Sequence, residues 1–188
     1  MNINIYLTPE SIKNAIKVLN KQKEILQKNI IPEFLELSVQ WIRDKANENL
    51  QKSDIGKKVK SWIQHSWYIK SEQNRVILYN TSWKSAFVEF GVGIVGQATA
   101  HPNASSTDWI YNIETEHKDA SGGWIFPIDE EDKLDLPENA IVESTELDDG
   151  LLIYTRGTKG VWYLFNAVED YKLNRQKSLW QEVKERYW

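Results

Sequence analysis

The 188-residue chain has no cysteine, one methionine and only three histidines. The absent thiols exclude disulfides, thiolate metal sites and cysteine nucleophiles, and a reducing compartment fits that composition. His65, His101 and His117 lie too far apart for the i, i+4 pair of a metal-binding helix. His101, in a loop beside Asn103, is expected to face solvent. No serine occupies a G-x-S-x-G elbow, which removes the commonest hydrolase signature. The acids at 129–132 and 148–149 lack the D-x-D-x-D-G calcium pattern and read as solvated runs. No apolar run approaches the ~20 residues of a membrane helix, so no membrane partner is expected. The opening MNINIYLTPE lacks the basic and apolar regions of a signal peptide. Internal repeats and low-complexity tracts are missing too.

What is present is an ordinary globular balance, 41% hydrophobic and 27% charged, on a length that suits one domain over residues 1–188. Nine tryptophans are many for this length, and most are expected in the core. Charge is unevenly spread. Residues 1–80 carry a net +5, residues 101–150 a net −12, and residues 151–188 a net +3. Such a split points to a partner of opposite charge, another copy of the same chain included.

Alternation in NINIYL, residues 2–7, predicts a short strand. Thr8, Pro9 and Glu10 then form a helix start. Ile12, Ile16, Leu19, Leu26 and Ile30 keep helical spacing up to Pro32, which either kinks a long helix or opens a second one. Leu35, Val39, Ile42, Ala46 and Leu50 continue the amphipathic pattern. Residues 53–64 read as a turn and basic lead-in, and HSWYIK with RVILYN as a β-hairpin. SWKSAFVEF, residues 82–90, fits either a short helix or an extended segment. Residues 97–149 read as an acidic insertion of short strands and loops, GWIFPI among them. GLLIYTRG predicts a further strand. A last helix is expected from Val161, with Leu164, Phe165, Val168 and Tyr171 on one face and a restart at Leu179, Val183 and Tyr187.

Gly91, Gly93 and Gly96 spell G-x-G-x-x-G. A dinucleotide site would need a βαβ unit around them, but Pro102 and the small polar residues that follow are poor helix material. The glycines are therefore expected to shape a tight loop at positive φ, and no cofactor or metal is expected. Lys57, Lys58 and Lys60 near Trp62 and Trp67 are a weak nucleic-acid signal that the acidic block opposes, so no specific nucleic acid is expected.

Four pieces carry a resemblance: the long amphipathic helix, IGKKVKSWIQHSWYIK, NRVILYNTSWKSAFVEFGVG and GTKGVWYLFNAVEDY. Together they resemble the tail-component family of tailed bacteriophages, the small tail-completion, neck or head–tail joining proteins of lambdoid phages. The family commonly shows Y-A-x-x-V-E-F-G-T; here Phe87, Val88, Glu89, Phe90 and Gly91 match and Val92 replaces the threonine. The family's closing Gln-Pro-Phe is represented only by WYLFNAV.

The resemblance implies an α+β fold, with long N-terminal and C-terminal helices packed on a small antiparallel sheet. It implies a virion protein of the tail or neck, made in the bacterial host cytoplasm, that forms a homo-oligomeric ring. Partners would be the portal-side connector and the tail-tube or tail-terminator proteins, and no catalysis is implied. Trp83, Phe87, Glu89, Phe90, Gly91, Gly93 and Trp162 become the candidate interface or structural residues. Phe87 and Phe90 are expected to anchor the glycine loop. Glu89 is expected to pair with a basic group or to accept backbone N–H bonds, so that its loss costs ~1–3 kcal/mol. The acidic 101–150 stretch of one copy would face the basic helical body of the next. A rival reading is a small acidic binding or inhibitor protein that mimics nucleic acid; a nucleotide enzyme is the third.

Overall fold

A computed structural model describes residues 8–72, 75–111, 120–128, 141–147 and 150–188. The expected strand at 2–7 lies outside them. The fold is α+β.

Helix α1 (Pro9–Ile25) starts as its cap predicts: Thr8 Oγ1 accepts the Ser11 amide at 3.3 Å, and Pro9 occupies the first turn. Pro32 stands in the first turn of a second helix, as one of the two expected outcomes has it, with no loop before that helix. The backbone passes through one π turn, Leu26–Ile30, closed by the Ile31 amide on the Leu26 carbonyl, and α2 (Ile31–Gln51) follows directly. The reason is local: a proline ring collides with the carbonyl four residues back, and a wider turn relieves that contact. Early in α1 the spacing is helical but the stripe meets no core, and Ile12, Ile16 and Leu19 are exposed. The stripe first meets a core at Ile25 and Leu26, which pack against the cluster that contains the fully buried Ile30.

The basic lead-in is a helix, α3 (Lys57–Gln64), which turns Ile63 fully inward. The hairpin forms as expected from β1 (Trp67–Glu72) and β2 (Arg75–Asn80), pairing Trp67 with Asn80 and Ile69 with Leu78. SWKSAFVEF resolves to helix α4 (Trp83–Phe90). It runs into β3 (Gly91–Val92) and the short α5 (Gly93–Ala98). In the acidic region, β4 (Trp124–Ile128) and β5 (Glu143–Leu147) flank β6 (Gly150–Thr155) in one antiparallel sheet. Alternation on β6 buries Leu151, Ile153 and Thr155. The strand β7 (Gly157–Lys159) pairs antiparallel with β3.

The last helix begins at Tyr163 rather than Val161. It consists of α6 (Tyr163–Asp170), a second π turn (Tyr171–Arg175) and α7 (Gln176–Glu185). Its buried face is Tyr163, Ala167 and Tyr171, with Leu164, Phe165 and Val168 only half-buried. The π turn has a geometric purpose. At about 100° per residue, an unbroken α-helix would turn Leu179 about 80° and Val183 about 120° away from Tyr171. One extra residue in a π turn removes about 100°, which brings both within about 20° of Tyr171. These three side chains and Ile30 form one core cluster, with Phe34, Trp41 and Trp180 around it. A second cluster joins α2, α3, α4 and α6 through Ala46, Leu50, Ile63, Val88, Tyr163 and Ala167. No tryptophan falls in the buried class; six are half-buried and Trp62, Trp83 and Trp188 are exposed, contrary to the expected core placement. An indole is too large to bury whole in cores this narrow, so the rings line their edges.

Candidate functional site

Glu89 ends up buried at the last turn of α4, 6% exposed. Its carboxylate reaches the start of α6: Oε2 accepts the Leu164 amide at 2.9 Å and Oε1 accepts the Phe165 amide at 2.8 Å. Those amides are the second and third of the helix, among the donors that have no partner within it. Trp162, the residue at the cap, supplies no side-chain bond of its own. A carboxylate from elsewhere in the chain therefore caps α6 and complements its positive end. Two backbone bonds tighten the joint, Val161 N–H to the Val88 carbonyl at 2.7 Å and Trp162 N–H to the Glu89 carbonyl at 3.2 Å. Trp162 itself adopts φ 55, a left-handed conformation uncommon for a bulky side chain.

His101 is the third partner. It is 5% exposed, which corrects the expected solvent-facing position, and its Nε2 lies 3.1 Å from Glu89 Oε1. Its Nδ1 accepts the Asn103 amide at 3.0 Å. An accepting Nδ1 fixes the tautomer: the proton sits on Nε2 and is donated to the carboxylate. The pair is neutral imidazole against carboxylate, with both ring nitrogens engaged. Next to it, the Tyr163 hydroxyl bonds Ser85 Oγ at 2.7 Å. Burial pushes that hydroxyl above its ordinary range despite the opposing hydrogen bond, so it stays protonated at neutral pH.

Rings enclose this joint. Phe90 lies 4.5 Å from His101 and stacks on Trp109 at 5.1 Å; Phe87 meets Trp109 edge-on at 5.4 Å; Phe165 and Trp162 close the other side of the imidazole at 5.1 and 5.9 Å. The anchoring role expected of Phe87 and Phe90 matches this packing. Trp83 touches the shell only at its rim, edge-on to Phe87, with its indole 69% exposed.

The glycine loop leads out of the same joint. Gly91 and Gly93 have φ of +78° and +67°, as the tight-loop reading requires. A Cβ on Gly91 would lie 2.4 Å from the Gly160 amide nitrogen, and one on Gly93 would lie 2.5 Å from the Arg156 carbonyl oxygen. The glycines thus let β3 approach β7. The Gly93 amide donates to the Tyr111 carbonyl at 2.7 Å and the Val95 amide to the Arg156 carbonyl at 3.3 Å. These two loop amides are thus engaged within the protein. Gly96 sits in α5, and a Cβ there would lie 2.8 Å from the Gly91 carbonyl carbon.

Six of the seven candidate residues thus converge on one joint, and Trp83 lies at its edge. Sequence reading missed His101, Trp109 and the GTKG wall opposite the glycines. The only signal for them was composition: aromatics near an H-P-N turn whose ring-to-backbone bond cannot be read from spacing. No group of three metal-ligating side chains occurs among the described residues, and no described helix is long and apolar enough to cross a membrane. Comparison with family models, with curated proteins and with solved structures gives no match.

Proposed function

We propose that this chain is a structural subunit of a tailed-phage head–tail junction, a tail-completion or neck protein whose copies assemble into a ring. The observation that carries the reading is the Glu89 joint. The segment that resembles the family, AFVEFGVG, has its carboxylate held by two helix amides and a histidine. A buried carboxylate held this way within the fold shapes and stiffens a surface. Exposed apolar and aromatic side chains on several elements offer further contact area, among them Ile16, Tyr68, Trp83 and Trp188. In this reading one face of the ring meets the portal-side connector and the other the tail-tube or tail-terminator protein, and the protein resides in the virion.

Native mass spectrometry and electron microscopy of the purified chain test this. Closed rings are expected, weakening as salt rises because the charge split contributes to closure. A chain that stays monomeric at high concentration, and is absent from phage particles when tagged, overturns the proposal. A monomer that instead captures a nuclease or DNA-binding protein supports the rival reading as a nucleic-acid mimic, which the net −12 over residues 101–150 favours.

A further inference from the structure

Two surfaces of the chain are apolar and uncovered, and they differ in charge. On α1, Ile12, Ile16 and Leu19 are exposed by 43%, 53% and 51%. Lys13, Lys17 and Lys21 run beside them at i, i+4 and i+8, all exposed and in no ion pair among the described residues. The ion pair that α1 does make, Glu24 with Lys28, uses none of the three. The second surface is the outer face of the three-stranded sheet. The pleat buries Leu151, Ile153 and Thr155 on one side of β6 and turns Leu152 and Tyr154 to the other. Register then sets two rows across the outer side: Ile125, Tyr154 and Glu143, and next to it Pro127, Leu152 and Thr145. Ile125 is 42% exposed. Glu143 and Glu146, both on β5, are exposed and in no ion pair among the described residues. Residues 141–155 contain no lysine or arginine to offset them.

We infer that α1 of one copy of the chain lies across the outer face of this sheet in the next copy, an inference that rests on the self-assembly proposed above. A helix is the ordinary cover for an apolar sheet face. The two patches match in extent, about 10 Å from Ile12 to Leu19 along the helix and about 10 Å from β4 to β5 across the sheet. With the aliphatic stripe over Ile125, Leu152 and Tyr154, the lysine row falls toward the β5 edge, where the two glutamates stand. Apolar burial drives such a contact and the charges orient it. Because the two surfaces differ, the contact is head-to-tail and passes from copy to copy, as ring closure requires. Pairing α1 with α1 suits the charges less well: an antiparallel two-fold sets lysine row against lysine row. Nucleic acid suits the helix less well too. Pro9–Ile25 contains no aromatic ring to stack a base, and a phosphate backbone leaves the aliphatic stripe uncovered.

The chain has no cysteine, so introduced thiols report the contact directly. Full-length Ile16→Cys and Ile125→Cys chains, mixed and oxidised, should give a disulfide-linked heterodimer, with little homodimer from either chain alone. Sedimentation gives the strength: Ile16→Asp should weaken self-association about tenfold or more while keeping the wild-type circular dichroism and melting behaviour, because the side chain is exposed. A chain with Lys13, Lys17 and Lys21 changed to glutamate and a chain with Glu143 and Glu146 changed to lysine should each lose self-association and regain it when mixed, since mixing restores opposite charges at every contact. Absence of the heterodimer overturns the inference, as does equal cross-linking of Ile16→Cys chains among themselves, which would mean α1 pairs with α1. So does binding to phosphatidylserine vesicles that Ile16→Asp abolishes while self-association is unchanged, which would give α1 to a membrane surface. If rings form and all these variants assemble at wild-type concentrations, the contact is wrong and the ring stands. If the cross-link and the charge swap behave as expected but the products are open filaments, and the tagged chain is absent from phage particles, the junction reading is wrong and the contact stands.

Discussion

Replacing Glu89 by alanine removes the acceptor of three donors at once: the half-buried Leu164 and Phe165 amides and the buried His101 Nε2. An orphaned donor of this kind costs about 1–3 kcal/mol, and His101, a neutral imidazole, leaves no uncompensated charge behind. The three donors share one site and relax together, so their penalties do not add in full. About 3–5 kcal/mol is expected, above the ~1–3 kcal/mol that a single lost partner predicts. For a chain of this size each kcal/mol moves Tm by about 2–4 °C, which gives a fall of about 6–20 °C. Glu89→Gln keeps one carbonyl oxygen but turns an NH2 toward a donor, and should lose about half as much. Urea denaturation followed by circular dichroism measures both. A loss below about 1 kcal/mol for Glu89→Ala would show that α6 does not depend on its remote cap, and the account of the joint would fail.

Gly91→Ala places a Cβ against backbone on β7 at a positive φ and should cost more than about 2 kcal/mol in the same assay; a near-neutral result refutes the close approach of β3 to β7. Deleting Leu173, an exposed residue of the second π turn, converts that turn to α-helix without rotating Leu179 and Val183, so the chain should fold with a loss of only about 1 kcal/mol. Collapse of the fold on this deletion would refute the phase argument. Glu48 accepts from Lys52 and Lys45, which lowers its carboxyl from 4.5 to about 2. Because the folded value is the lower one, the stabilisation is present above pH about 4.5 and is lost as pH falls toward 2. Carboxyl NMR should find the Glu48 midpoint near 2, and Lys52→Met should raise it; a midpoint at 4.5 in the wild type contradicts the pairing.

Local chemistry determined a good deal of this protein by sequence alone. Thr8-Pro9 starts a helix because hydroxyl, ring and amide geometry act within one turn. The hairpin register follows from alternation, and glycines at 91 and 93 announce positive φ because a Cβ is what that conformation excludes. Tertiary structure decided what happens when two distant segments meet. Whether Ile16 or Ile30 is covered depends on which helix passes over it, though both share the same spacing. The two π turns answer a proline and a core that must stay in phase over long helices. His101 became buried only because the ends of α4 and α6 left two unpaired amides, one carboxylate and room for an imidazole in the same place. A cap supplied from 75 residues away obeys the same hydrogen-bond rule as a local one, but its donor and acceptor are paired by packing, and spacing along the chain does not encode that.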